Sequence, residues 1–206
     1  MFTFASASRT LTLEISMTDG TIYYTKRWVF TTRKPFPGEE WLSPETARSV
    51  YEEVGSLDAV DAHQVDAQGV PIQRWVLGFS TAGGVRASFF TEQGALWRQI
   101  DWKSIDGRLW RWITVDYTYP DDTRSWRQDE WIHKVEARVN PDDNGEIISL
   151  NPKLPRSEGR KLTRFTGRSF DKYWLDRPAF GDWTSLTDPG PSAYEVAGFD
   201  QSVHAV

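Results

Sequence analysis

Leu96-Trp-Arg-Gln-Ile-Asp-Trp-Lys-Ser-Ile-Asp-Gly-Arg-Leu-Trp-Arg-Trp-Ile-Thr-Val-Asp-Tyr-Thr-Tyr119 reads as two strands around a two-residue loop. Asp106-Gly107 is the signal for a type I′ turn, whose two central positions need positive φ; Gly adopts it freely and Asp tolerates it. So short a loop fixes the pairing on either side of it. It predicts Ile100 opposite Ile113 and Leu96 opposite Tyr117 on one face. The other face then carries Lys103/Trp110, Asp101/Trp112, Gln99/Thr114 and Trp97/Asp116. The first face reads as core. The second mixes three indoles with charged and polar groups, a composition suited to a binding surface or to the lining of a small-ligand cavity.

The same logic extends in both directions. Asp19-Gly20 predicts a hairpin with Met17 opposite Ile22, Ile15 opposite Tyr24 and Leu11 opposite Trp28. Pro35-Phe-Pro-Gly38 ends that strand. Ser43-Pro44-Glu45 then supplies an N-cap hydroxyl, proline at the first helical position and a carboxylate in the first turn, followed by Ala47, Val50, Tyr51 and Val54 at helical spacing and a stop at Gly55. Strand patterns return at 72–79 and 85–91 around Ala82-Gly83-Gly84, and again at 126–139, which turns at Pro141-Asp-Asp-Asn-Gly145 into 146–150. Trp97-Arg-Gln-Ile-Asp-Trp102 is echoed by Trp126-Arg-Gln-Asp-Glu-Trp131, which suggests a duplicated hairpin unit. The fold class is therefore mainly β (α+β): an antiparallel meander of about 8 to 10 strands with one early amphipathic helix, curling into a barrel or half-barrel because free edges invite mispairing.

A single β-rich domain is expected over 1–183, with its core at 8–151 and a basic, aromatic extension at 152–183; 184–206 reads as a Pro/Gly-containing tail or surface strap. The extension holds seven Lys and Arg residues between Lys153 and Lys172 against Glu158 and Asp171, a net +5 that leaves −10 on the remainder. Arg156, Arg160, Lys161, Arg164 and Arg168 form its basic patch. Opposite charge within one chain predicts that this segment folds back onto the acidic body.

The chain has 206 residues and no cysteine, which closes disulfide, thiolate and Cys-based metal chemistry. Eleven Trp, eleven Phe and seven Tyr residues argue for a folded core. No apolar run is long enough to span a membrane and the first residues lack the features of an export signal, so a cytoplasmic location is expected. Arg outnumbers Lys by 17 to 7, as in proteins of GC-rich bacterial genomes. The net charge of −5 argues against whole-protein binding to nucleic acid and favours a basic partner.

Motifs for chemistry are sparse. Asn140-x-Asp142-x-Asn144-Gly145 begins like a calcium loop, but position twelve is Asn151 where a bidentate Glu is required, so a hairpin turn is expected. His63, His133 and His204 have no zinc-type spacing. His133 is in phase with Trp131, Val135 and Val139, which reads as a core histidine. No nucleophile elbow, dinucleotide fingerprint or phosphate loop occurs, and neither cofactor nor metal is expected.

Three functions follow from these features. The first is a non-enzymatic protein-binding module using Trp97, Gln99, Asp101, Lys103, Trp110, Trp112, Thr114 and Asp116, most concretely an immunity protein that neutralises a basic toxin. The second is a barrel that binds or isomerises a small hydrophobic ligand. In strand order, with one early helix, the meander resembles the calycin or fatty-acid-binding architecture. The third is single-stranded nucleic-acid binding through 153–174, by charge together with stacking on Phe165, Phe170, Tyr173 or Trp174.

Overall fold

The computed structural model describes residues 21–65 and 70–199. The Asp19-Gly20 hairpin lies outside these residues except for its second strand, β1 (Thr21–Thr25). A short ribbon of β2 (Trp28–Val29) and β3 (Lys34–Pro35) leads to α1 (Pro44–Glu53). The meander follows as β4 (Leu57–Val65), β5 (Pro71–Phe79), β6 (Val85–Phe90), β7 (Leu96–Ile105), β8 (Arg108–Thr118), β9 (His133–Val139) and β10 (Asn144–Leu150). One turn of helix, α2 (Arg156–Gly159), precedes β11 (Arg160–Thr166). The chain continues through β12 (Trp174–Asp176), α3 (Thr184–Thr187) and α4 (Ala193–Ala197).

All strands but β2 and β3 join one antiparallel sheet in the order β1-β4-β5-β6-β7-β8-β9-β10-β11. The sheet is open: a half-barrel with one early helix of several turns. Strand β12 pairs with β8 at Trp110, Leu109 and Arg108, on the edge that β9 occupies from Ile113 to Thr118. Thus β8 has two successive neighbours on one side.

Local sequence explains α1. Ser43 Oγ accepts the amide of Thr46 at 3.2 Å, Pro44 opens the helix, and Gly55 follows its C-cap at φ 73°. Ala47 and Tyr51 are buried against the sheet, whereas Val54, the last member of the expected stripe, is exposed. The Tyr51 hydroxyl donates to the Pro178 carbonyl at 2.7 Å, tying the helix to the late part of the chain.

Alternate residues along the strands build three clusters. The first joins Leu57, Leu77, Phe79, Ile100, Trp102 and Leu109 to Tyr51, Trp183 and Leu186. The second sets Trp110, Val135, Ala137, Val139 and Ile147 beneath Phe170, Tyr173, Val196 and Ala197. The third packs Val60, Val76, Phe90 and Leu96 with Tyr23 and Trp28.

One sequence expectation is corrected here and a second is narrowed. The strand expected over 126–139 begins only at His133. Before it the chain folds into a loop: the Trp126 indole donates to the Asp121 carbonyl at 2.9 Å, and Glu130 accepts the Arg127 amide at 2.7 Å. The two echoed Trp-Arg-Gln segments therefore adopt different structures, one strand and one loop. Of the two forms expected after position 184, tail or strap, residues 184–199 take the strap. Leu186, Ala193, Val196 and Ala197 are buried, and Ser192 with Glu195 forms a capping box at the start of α4.

Among the described residues no helix is long and apolar enough to cross a membrane.

Candidate functional site

The Asp106-Gly107 turn forms as the sequence predicts, with φ of 49° and 81°, and Lys103 stands opposite Trp110. Beyond that the pairing slips. Trp102 faces Arg111 but Asp101 faces Ile113, so Trp112 is an extra residue in β8. A second slip lets Phe89 face Arg98 while Phe90 faces Leu96, leaving Trp97 as the extra residue in β7. Each bulge reverses the side to which the following residues point. The expected pairs Asp101/Trp112, Gln99/Thr114 and Trp97/Asp116 are accordingly replaced by Asp101/Ile113, Ile100/Thr114 and Arg98/Asp116.

The eight expected binding residues thus divide into two groups. Trp110 is 1% exposed and donates its indole N–H to the Val139 carbonyl at 3.0 Å beneath Trp174 and Tyr173. Trp97 is half-buried against Phe89. Thr114 accepts from Arg111 Nε at 3.0 Å, and Asp116 pairs with Arg98 Nε at 2.5 Å. Both arginines are buried and hold the chain's own strap: Arg98 Nη1 donates to the Gly190 carbonyl at 2.8 Å, and Arg111 Nη2 to the Pro191 carbonyl at 3.0 Å. Burial lowers the Arg111 pKa to about 10, which leaves it a cation at neutral pH. This polar cluster is occupied by the protein itself.

Gln99, Asp101, Lys103 and Trp112 make the other group. Arg86 binds Asp101 through both carboxylate oxygens at 2.7 and 3.0 Å, Gln99 approaches the same carboxylate, and the Lys103 ammonium lies 5.5 Å from the Trp112 ring. Asp101 belongs to a row that crosses the sheet strand by strand: Asp58, Gly78, Arg86, Asp101, Ile113, Arg138, Glu146 and Arg164. Beside it, Glu136 takes Lys134 at 3.1 Å and Arg138 at 2.6 Å. Burial would raise the Glu136 carboxyl, but the two cations outweigh it and hold its pKa below the ordinary value. The row alternates in sign and ends on the basic strand β11.

That strand alters the reading of the basic patch. Instead of folding back onto the acidic body, the segment extends the sheet as its last strand, with Arg160, Lys161, Leu162, Thr163 and Arg164 all exposed. Arg156 is exposed on α2, while Arg168 donates to the Gly198 carbonyl after α4 at 3.2 Å. Of the rings proposed to stack on bases, Phe170 and Tyr173 are buried in the second cluster, and Phe165 and Trp174 are half-buried against it.

His133 lines a pocket of about 380 Å³ with Ser149, Lys161 and Tyr194. Its Nε2 lies 2.8 Å from Ser149 Oγ; burial and the nearby Lys161 both lower its pKa. Sequence reasoning missed this pair, because it exists only through the β9–β10 register. The Asn140–Gly145 segment is a hairpin turn in which Asn140 and Asn144 bond each other at 2.8 Å. Among the described residues no three His, Asp or Glu side chains gather to hold a metal ion.

Comparison with protein-family models, with curated proteins and with solved structures found no match.

Proposed function

We propose that the chain is a protein-binding module, without catalytic chemistry of its own, that takes an extended acidic segment of a partner along β11. The observation that carries this reading is the exposure of a terminal strand from Arg160 to Arg164. An edge strand offers unpaired backbone groups as a template for an added strand. Its cations repel a second copy of the same edge and attract a strand bearing carboxylates. Leu162, 42% exposed, supplies an apolar contact between the charges. The charge row behind it adds Arg138 and Glu146 on neighbouring strands, which favours one partner register over others.

The net charge of the whole chain favours a basic partner, whereas the local charge of this edge favours an acidic segment, and the local field governs a contact shorter than a Debye length. The toxin-neutralising form of the module accordingly requires an acidic stretch in the toxin. The test is co-purification of the partner with wild-type chain and with the variant Arg160→Glu/Lys161→Glu/Arg164→Glu, followed by amide exchange on the complex. Expected are loss of the partner in the triple variant and new protection along 160–166. Capture unaffected by charge reversal, or protection confined to other strands, overturns the reading.

A further inference from the structure

A cavity of about 210 Å³ lies between β8, the turn before β12 and the strap around residues 185–191. It has room for a small ion rather than a drug-sized guest. Arg111 lines it, together with Lys172, Tyr173, Ser185 and Asp188.

Arg111 gives this cavity its chemistry. The residue is 6% exposed, and its hydrogen-bond partners are all neutral: the Thr114 hydroxyl and the Pro189 and Pro191 carbonyls. Among the described residues no carboxylate lies within ion-pair distance of it, whereas buried charges are ordinarily paired. Those bonds use Nε and Nη2. Nη1 has no partner among the described residues and keeps contact with solvent. Glycine at 190 leaves that edge uncovered, since a Cβ there would stand 2.8 Å from Nη1. A second cation converges on the same ring wall: Lys172 Nζ lies 5.4 Å and the Arg111 guanidinium carbon 5.5 Å from the centroid of Tyr173. Lys172 likewise has no ion pair among the described residues.

One carboxylate also lines the cavity, that of Asp188, whose Oδ1 accepts the Gly190 amide at 2.8 Å. It repels a fully ionised guest. An oxyanion that retains a proton escapes this, because its O–H donates to the carboxylate while its other oxygens accept from the two cations and from the Tyr173 and Ser185 hydroxyls. We propose that the cavity binds inorganic phosphate, held by Arg111 Nη1 and Lys172 and selected over sulfate by Asp188. Phosphate keeps at least one proton around neutral pH, and sulfate keeps none; the discrimination comes from repulsion of the wrong anion.

The test is calorimetric titration of the full chain, at about pH 8 and fixed ionic strength, with orthophosphate, sulfate and phenyl phosphate, an ester that has lost both protons under these conditions. Orthophosphate is expected to bind about tenfold more tightly than either of the others. Lys172→Gln, at an exposed position, is expected to weaken phosphate binding about tenfold. Asp188→Asn keeps an acceptor for the Gly190 amide and offers sulfate an N–H, so the two inorganic anions should then bind about equally. Thermal unfolding checks that both variants fold; should the Asp188 variant not fold, the wild-type anion series and Lys172→Gln still decide. No binding of orthophosphate, equal binding of sulfate or tighter binding of phenyl phosphate by wild type, unchanged affinity in Lys172→Gln, or selectivity that survives in Asp188→Asn overturns the proposal. None of these outcomes bears on β11.

Discussion

Ala193 donates its amide hydrogen to Asp116 across 2.7 Å and 77 positions of sequence. Ala193 is the first residue of α4, so a carboxylate on the central strand β8 satisfies one of the amide groups that a helix start leaves without an internal partner. The other oxygen of Asp116 holds Arg98, which in turn holds the carbonyls of Pro189 and Gly190. A contiguous polar cluster thereby docks a segment that is poor in apolar residues.

Removing this carboxylate should release the strap. Asp116→Ala leaves Arg98 buried without its counter-charge and is expected to cost about 3 kcal/mol, with Asp116→Asn costing less because one acceptor remains. Urea unfolding gives the magnitude, and accelerated exchange of the Ala193 amide locates it. An unchanged urea midpoint in the Ala variant would mean that the strap is held by other contacts.

The two indoles of β8 should behave differently. Trp110→Phe removes the bond to the Val139 carbonyl in a buried site and is expected to cost about 1 to 2 kcal/mol. Trp112→Phe, on a partly exposed bulge, should change stability by about 0.5 kcal/mol or less. Calorimetric unfolding of the two variants in parallel decides the matter, and equal losses would contradict the burial described above.

Asp58 gives the protein an acid-side gain in stability. Burial raises its carboxyl to about 6, opposed by the hydrogen bond from the Trp28 amide. Because the folded pKa exceeds the unfolded one, the folded state binds the proton more tightly. Stability therefore grows as pH falls from the folded towards the unfolded value and is lost as pH rises through about 6. Between about pH 7 and pH 5 the wild type should gain about 1 kcal/mol relative to Asp58→Asn, measured by urea unfolding at both values. Parallel pH profiles for the two proteins would remove Asp58 from this role.

Two glycines separate conformational strain from steric exclusion. At Gly107, φ 81° with open space around it, alanine should cost about 1 kcal/mol. At Gly145 an added Cβ would stand 2.6 Å from the Phe165 ring and against the Arg138 carbonyl, so Gly145→Ala should cost about 2 kcal/mol or more by prising β10 from β11. Thermal unfolding ranks them, and the reverse order would show that Phe165 moves aside freely.

The parts of the fold legible in the sequence are those written in local chemistry. Asp106-Gly107 announces its turn, and Ser43-Pro44 its helix, because both depend on φ and capping within a few residues. The bulges at Trp97 and Trp112 are not legible. Alternation of side chains fixes a face only while pairing is regular, and nothing in Trp112 itself marks it as the residue without a partner. Gln99, Asp101, Lys103 and Trp112 stay together despite this slip. Trp110, Thr114 and Asp116 do not, because their partners come from Val139, Arg111 and residues beyond 188, which no local pattern connects to them. Sequence does not decide between tail and strap after position 184 for the same reason: Leu186, Ala193 and Val196 are few, yet all are buried.

Trp183 and Leu186 complete one hydrophobic cluster, and Val196 and Ala197 complete another. During biosynthesis the apolar faces of β4 to β9 therefore leave the ribosome before the residues that cover them: the first cluster cannot close before Leu186 has emerged, nor the second before Ala197. Until those residues emerge, the uncovered sheet of such a nascent chain is open to aggregation and mispairing.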